Sequence, residues 1–319
     1  MSQIPFIERS VRSAISVVGF PLSIYQTLVT QFQLHKNKPK GQLVRIGQRS
    51  LHAVVTGENK HDQPTVILES GMGGCSLDWS LVQPEISKHT KVISYDRSSF
   101  GWSTGTMDRP TCQNYVHELR LLLNEMNLKP PYILVGHSYG GMMMRLFAAQ
   151  HPEEVKGLIL VDSTHESRYL DHSMSQHRNA EREKNLRLFR LGYLLSPIGL
   201  PRLLKRHIGA NRLPSHIQSK VTALGRSNKA FRAVYLELIC TEESAVQLKN
   251  APPLKEDMPV IVLSAGKQSE DWKKSQEELL NLTKQTKRIM VEDSWHSIQI
   301  YQPQVVFEAI KNLLNHSSH

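Results

Sequence analysis

Three residue types in this chain could together perform acyl chemistry: a serine, a histidine and a carboxylate. Ser138 lies in Gly136-His137-Ser138-Tyr139-Gly140, a Gly-x-Ser-x-Gly string. A serine hydroxyl is a weak nucleophile near neutral pH and needs an adjacent base. His296, in Glu292-Asp293-Ser294-Trp295-His296, is selected from fifteen histidines by position, after the last apolar run and before the last helix-forming run. His137 adjoins the serine, but successive side chains point apart, so it reads as a packing residue, and His165 and His172 are less well placed. The acid must orient the imidazole and stabilise its cation. Asp162 ends the apolar run that follows the serine, whereas Asp271 and Glu270 follow the next one. Either choice keeps the chain order serine, acid, histidine. The developing oxyanion needs two backbone N–H donors. Tyr139, the residue after the serine, offers one, and Met72 in the turn Glu69-Ser70-Gly71-Met72-Gly73-Gly74 offers the other, because glycines let backbone approach a ligand closely.

Elements must hold these groups. Residues 132–135 are an apolar run directly before the string, and residues 142–149 are helix-forming directly after it. Strand, sharp turn and helix is the context that converts the string into a nucleophile elbow. The new helix then presents its amino-terminal dipole and free N–H groups to developing negative charge. Residues 42–46 and 51–55 read as an antiparallel pair around Gly47, and residues 65–68, 91–95, 155–161, 259–263 and 288–291 as further strands. Helical spacing covers 116–127 and 304–314. Near-continuous apolar strands alternating with helices predict an α/β fold with a mostly parallel sheet covered on both faces. The expected core is 42–162 with 259–319.

The alternation breaks once, between residues 163 and 258, where the chain is helical in flavour and holds no good strand. An insertion after a strand's carboxyl end lands over the site edge of the sheet, so this interval is expected to be a helical cap. Its apolar stretches at 186–200 and 236–239 would line the substrate pocket or form the cap's own core.

The net charge is +10. Between Arg178 and Arg232 there are thirteen Lys/Arg and two acids, Glu181 and Glu183, so this window carries thirteen minus two, +11. Such concentration suggests an anionic partner such as a phospholipid headgroup layer, or a solvated helical face. Few aromatics interleave and no nucleic-acid motif occurs, which argues against nucleic acid. Residues 13–34 carry no charged side chain and are moderately apolar. Within the expected amino-terminal unit 1–41 they read as a membrane-surface helix, a helix docked on the protein itself, or a weak spanning anchor. The corresponding expectation for location is cytoplasmic or peripheral to a membrane. Cys75, Cys112 and Cys240 are odd in number and widely spaced, which argues against a disulfide framework. No Cys/His spacing suits a metal and no Gly-Lys-Ser/Thr loop suits a phosphate, so neither metal nor cofactor is expected.

The residues resemble a known family. Ser70-Gly71-Met72-Gly73-Gly74, Tyr95-Asp96-Arg97 with Gly101-Trp102-Ser103, the string around Ser138, Val161-Asp162-Ser163 and Ser294-Trp295-His296 together resemble the α/β-hydrolase superfamily, over roughly residues 42 to 315. The resemblance implies a triad of Ser138, His296 and Asp162 or Asp271. The chain also looks similar to a bacterial esterase-like subgroup with Leu77-Asp78-Trp79-Ser80 and Asp162-Ser163-Thr164-His165-Glu166, which favours Asp162, while Asp96 resembles a structural turn residue of the superfamily. Superfamily members often carry histidine where Ser70 stands, and its loss leaves the backbone donor intact. Relatives that hydrolyse epoxides or haloalkanes attack with aspartate, whereas this elbow carries serine. The expected activity is hydrolysis of small-molecule carboxylic esters, lipid or other apolar acyl esters among them, through an acyl-enzyme. Acyl transfer or C–C bond hydrolysis by the same groups, or an inactive binding protein on this fold, are the alternatives.

Overall fold

The computed structural model describes residues 4–59, 63–170 and 176–315. His172 lies outside them. Among the described residues eight strands form one sheet. They are β1 (Gln42–Ile46), β2 (Arg49–Thr56), β3 (Thr65–Glu69), β4 (Val92–Tyr95), β5 (Tyr132–His137), β6 (Val155–Val161), β7 (Val260–Ala265) and β8 (Thr286–Val291). Their order is β1-β2-β4-β3-β5-β6-β7-β8. The β1/β2 and β2/β4 pairs are antiparallel and every later pair is parallel. The expected α/β class with a mostly parallel sheet is therefore the observed one.

The strands are apolar on both sides because each face buries a separate core. Ile67, Ile93, Leu134, Leu158, Leu160 and Val262 point into one layer with Tyr115, Leu119 and Phe147. Their neighbours Val66, Val92, Ile133, Ile159, Val161 and Ile261 point into the other with Trp79, Ile86, Phe307 and Ile310. This is the period of two of an extended chain, read against helices on both faces. Truncating one such side chain, Ile159 or Leu160, to alanine typically costs ~2–5 kcal/mol.

Helix Cys112–Glu125 starts earlier than the apolar spacing suggests, because the Thr111 hydroxyl accepts the Asn114 N–H and caps it. Helix Pro303–Asn315 buries Val306, Phe307, Ile310 and Leu313 and leaves Glu308 outside.

Between β6 and β7 the described residues contain no strand. They form helices Gln176–Leu195, Leu200–Leu203, Ser215–Gly225, Asn228–Ile239 and Thr241–Lys249. The last of these packs on Cys112–Glu125 and Tyr139–Gln150, with the Ser244 hydroxyl accepting both the Cys112 N–H and the Tyr139 phenol. The stretches at 186–200 and 236–239, expected either to line a pocket or to make a core, supply a core. Tyr193, Tyr235 and Leu236 are buried with Ile4, flanked by Leu186, Phe189 and Ile239. Cys75, Cys112 and Cys240 are unpaired and buried.

Candidate active site

The elbow is a backbone constraint before it is a chemical one. Ser138 follows β5 with φ 51° and ψ −123° and caps helix Tyr139–Gln150. A residue with a Cβ in this region is strained, by an amount on the order of 1–3 kcal/mol. Surrounding contacts enforce the turn. Ser138 N–H donates to Val161 O at 3.1 Å, and the Ser138 carbonyl accepts the Gly141 and Thr164 N–H groups at 3.0 Å each. Gly140 has to be glycine, because a Cβ there would stand 2.5 Å from Ser70 O.

Three side chains from three strand ends meet over this turn. Ser138 leaves β5, Asp162 leaves β6, and His296 lies in the loop after β8. His296 Nε2 is 2.9 Å from Ser138 Oγ, and His296 Nδ1 is 2.7 Å from Asp162 Oδ2. The Asp162–His296 bond fixes the tautomer: Nδ1 carries the proton and Nε2 is the acceptor facing the serine. Asp162 is fully buried. Burial alone would raise its carboxyl. The His296 hydrogen bond and nearby charge, the Ala265 N–H at 3.0 Å and the Gln268 amide at 2.7 Å outweigh that and hold it below the ordinary value. It is ionised at neutral pH.

The alternative acids are engaged elsewhere. Asp271 pairs with Arg168 at 2.9 Å and Arg178 at 2.7 Å, and the Arg178 hydrogen bond, followed by Arg168, holds its carboxyl down at about 2. Arg168 in turn lies over Trp272, whose ring meets the His296 ring edge-on at 4.9 Å. Asp271 is thus held by Arg168 and Arg178, while the imidazole bonds Asp162. Glu270 is exposed and pairs with Lys273. His137 packs against the site: its ring is 4.8 Å from that of His296, and Nε2 is 3.1 Å from the His296 carbonyl. Burial and then the neighbouring His296 push its imidazole down to about 3, so it is neutral. His165 caps a short turn and faces Glu166 and Glu278. Glu166 holds Arg145 of the elbow helix through two bonds.

The turn after β3 lies beside the serine. A Cβ on Gly71 would stand 3.1 Å from Ser138 Cβ and 2.9 Å from His137 Nδ1, so only glycine admits the approach. Met72 follows Gly71 in this turn, and Tyr139 begins the elbow helix directly after Ser138. Ser70 donates its hydroxyl to Cys75 O at 2.8 Å and braces the turn.

Sequence reasoning did not foresee what holds this turn from below. Arg97, fully buried, donates to Ser70 O and Gly71 O at 2.8 Å each and to the carboxylates of Glu69 and Glu237. Glu237 accepts the Gly73 N–H at 2.9 Å. Tyr95 donates to Glu69, whose carboxyl burial raises in spite of Arg97 and Tyr95. One signal was available: Glu237 is the only acid between Glu183 and Glu242, and it sits inside the apolar run Val234-Tyr235-Leu236-Glu237-Leu238-Ile239. A lone acid in such a run demands a buried partner. Asp96 is structural, accepting the Ser76 and Trp102 N–H groups at 2.7 and 2.8 Å and bonding His52.

The site opens to solvent, with the His296 side chain 38% exposed. A separate cavity of about 400 Å³, lined by His52, Ser76, Gln83 and Trp102 among others, touches none of Ser138, His296 and Asp162.

Residues 64–303 match the family model described as alpha/beta hydrolase fold. The chain belongs to the α/β-hydrolase family. It is 25% identical over 252 residues to the uncharacterized protein YqjL of Bacillus subtilis, covering 77% of this chain and 81% of that protein. It superposes on the epoxide hydrolase CorEH with a TM-score of 0.69 at 18% identity, covering 86% of this chain and 98% of that one. With the enol-lactonase of Burkholderia xenovorans LB400 the TM-score is 0.65 at 18% identity, over 86% of this chain and 100% of that one. At these identities the two structures support the α/β-hydrolase fold.

Proposed function

We propose that the protein hydrolyses carboxylic esters through a serine acyl-enzyme. The observation that carries this reading is the unbroken hydrogen-bonded chain from Ser138 Oγ through His296 to buried Asp162. His296 Nε2 takes the Ser138 proton as Oγ bonds to the ester carbonyl carbon. The negative charge gathers on the carbonyl oxygen, where the Met72 and Tyr139 N–H groups receive it. One such donor is typically worth ~3–4 kcal/mol of transition-state stabilisation. The imidazolium then protonates the leaving alkoxide as the ester C–O bond breaks. A water, deprotonated by the same nitrogen, attacks the acyl-enzyme and frees the acid and Ser138. Asp162 stays ionised throughout and holds the imidazole in register. The helices between β6 and β7 act as the cap, joined to the oxyanion turn through Glu237.

Turnover of p-nitrophenyl esters of graded acyl length tests the proposal. The wild type is expected to turn over at least one of them, and Ser138→Ala to lose at least about ten-thousand-fold in kcat. Equal turnover by the variant would refute the mechanism.

A further inference from the structure

The two amino-terminal helices, Phe6–Val18 and Phe20–Lys36, turn several polar side chains inward and most of their large apolar side chains outward. Glu8 is buried, accepts the Tyr235 phenol at 2.8 Å and pairs with Arg190 at 3.0 Å. Arg12 donates to Ser196 at 3.1 Å and lies over the Tyr193 ring. On the second helix, Gln26 is buried and donates to Arg226 O at 2.8 Å. Arg202 donates to Gln26, Thr30 and Gln33 at 2.7, 3.0 and 2.7 Å. These bonds fasten both helices to the basic interval between β6 and β7.

The opposite faces carry the apolar residues into solvent. Phe6, Ile7, Val18, Phe20, Leu28 and Phe32 are all exposed, Val18 by 88% at the corner where the helices meet. Leu188 and Leu191, on the helix that holds Glu8, and Leu203 and Leu204, beside Arg202, are exposed as well. An apolar surface of this extent marks a partner site. Exposed cations neighbour these residues along the chain: Arg9 and Lys36 on the helix pair, Lys38 just past it, Lys184 and Arg187 beside Leu188 (Arg187 paired with Glu183), and Lys205 and Arg206 beside Leu204. With a net charge of +10, a second copy would be repelled by these cations, whereas anionic headgroups are attracted to them.

We propose that this face docks on an anionic phospholipid bilayer. The helices lie in the interface and do not cross it. Among the described residues no single helix is long and apolar enough to span, and the pair bends by 94°. At 1.5 Å per residue they reach roughly 20 and 26 Å, against a hydrocarbon core of about 30 Å. The corner inserts, and the inward polar bonds transmit the attachment to the helices between β6 and β7. The proposal is independent of the reaction Ser138 performs.

Co-sedimentation of the full chain with vesicles of mixed phosphatidylglycerol and phosphatidylcholine, against phosphatidylcholine alone, tests it. Binding to the anionic vesicles that weakens in salt is expected. Phe6→Ser/Val18→Ser/Phe20→Ser/Phe32→Ser should lower the partition coefficient at least about tenfold with an unchanged melting temperature. Should that variant misfold, Lys205→Glu/Arg206→Glu carries the test, keeping the apolar face and reducing binding to anionic vesicles alone. No binding by the wild type, or equal binding by the folded variants, overturns the proposal. So does a wild-type dimer in analytical ultracentrifugation that the four serines dissolve, which would assign the face to a second copy.

Discussion

The Gly73 N–H donates to Glu237 across 164 residues of sequence, joining the turn beside Ser138 to helix Asn228–Ile239. The same carboxylate meets Arg97, which also holds the carbonyls of Ser70 and Gly71. One buried ion cluster thus sets both the turn's backbone and the seat of the helices between β6 and β7. Glu237→Ala leaves Arg97 with Glu69 as its one carboxylate partner and removes the Gly73 acceptor. The expected cost is about 3–5 kcal/mol in urea unfolding, with kcat reduced. Glu237→Gln keeps an acceptor for Gly73 and should retain most of the kcat. An alanine variant as stable and active as the wild type would contradict this role.

The choice of acid has a direct kinetic consequence. Asp162→Asn removes the charge that orients His296, and kcat should fall by about a thousand-fold or more. Asp271→Asn weakens the pairs with Arg168 and Arg178 and leaves the Asp162–His296 bond in place, and kcat should change by no more than about threefold. Reversed magnitudes in a side-by-side p-nitrophenyl ester assay would move the acid to Asp271.

The strain at Ser138 separates stability from activity. Ser138→Gly relieves the positive φ, whereas Ser138→Ala retains it. Glycine should be more stable than alanine by about 1 kcal/mol, strain relief less the entropy of a glycine in the unfolded chain. Thermal or urea unfolding of the two inactive variants reads the difference directly, and equal stabilities would mean that the elbow is unstrained.

His137 makes stability depend on pH. Its folded value is about 3, below the 6.5 of an ordinary histidine. The unfolded chain therefore takes up a proton that the folded protein refuses, and stability present above the unfolded value is lost as pH falls below it. At pH 5 the loss from this group is about 2 kcal/mol. His137→Gln keeps a donor for the His296 carbonyl and cannot titrate, so its stability gap from the wild type should narrow by that amount between pH 8 and pH 5 (about one and a half units below the unfolded value). A gap constant with pH would show that His137 protonates freely.

Much of this architecture is written locally. The buried strands announce themselves as apolar runs, and Ser138 is marked by the strand and helix on either side of it, because those signals need no knowledge of distant partners. The acid was not legible to the same degree. Asp162 and Asp271 both follow strands at plausible places, and only the Arg168 and Arg178 pairs show that Asp271 is occupied. The Glu237 link spans two parts of the fold that no period connects. The seating of the amino-terminal helices was open as well: docking on the protein itself was one of three readings of residues 13–34, and the partners that decide it, Tyr235 for Glu8, Ser196 for Arg12 and Arg202 for Gln26, lie far away along the chain.

The central claim is that Ser138 is a nucleophile activated by His296. Reaction with a fluorophosphonate probe, followed by intact-mass measurement and peptide mapping, tests it without knowledge of the substrate. One adduct on Ser138 is expected for the wild type, strongly slowed labelling for His296→Ala, and none for Ser138→Ala. Wild-type protein left unlabelled, or labelled equally after Ser138→Ala, would contradict the account.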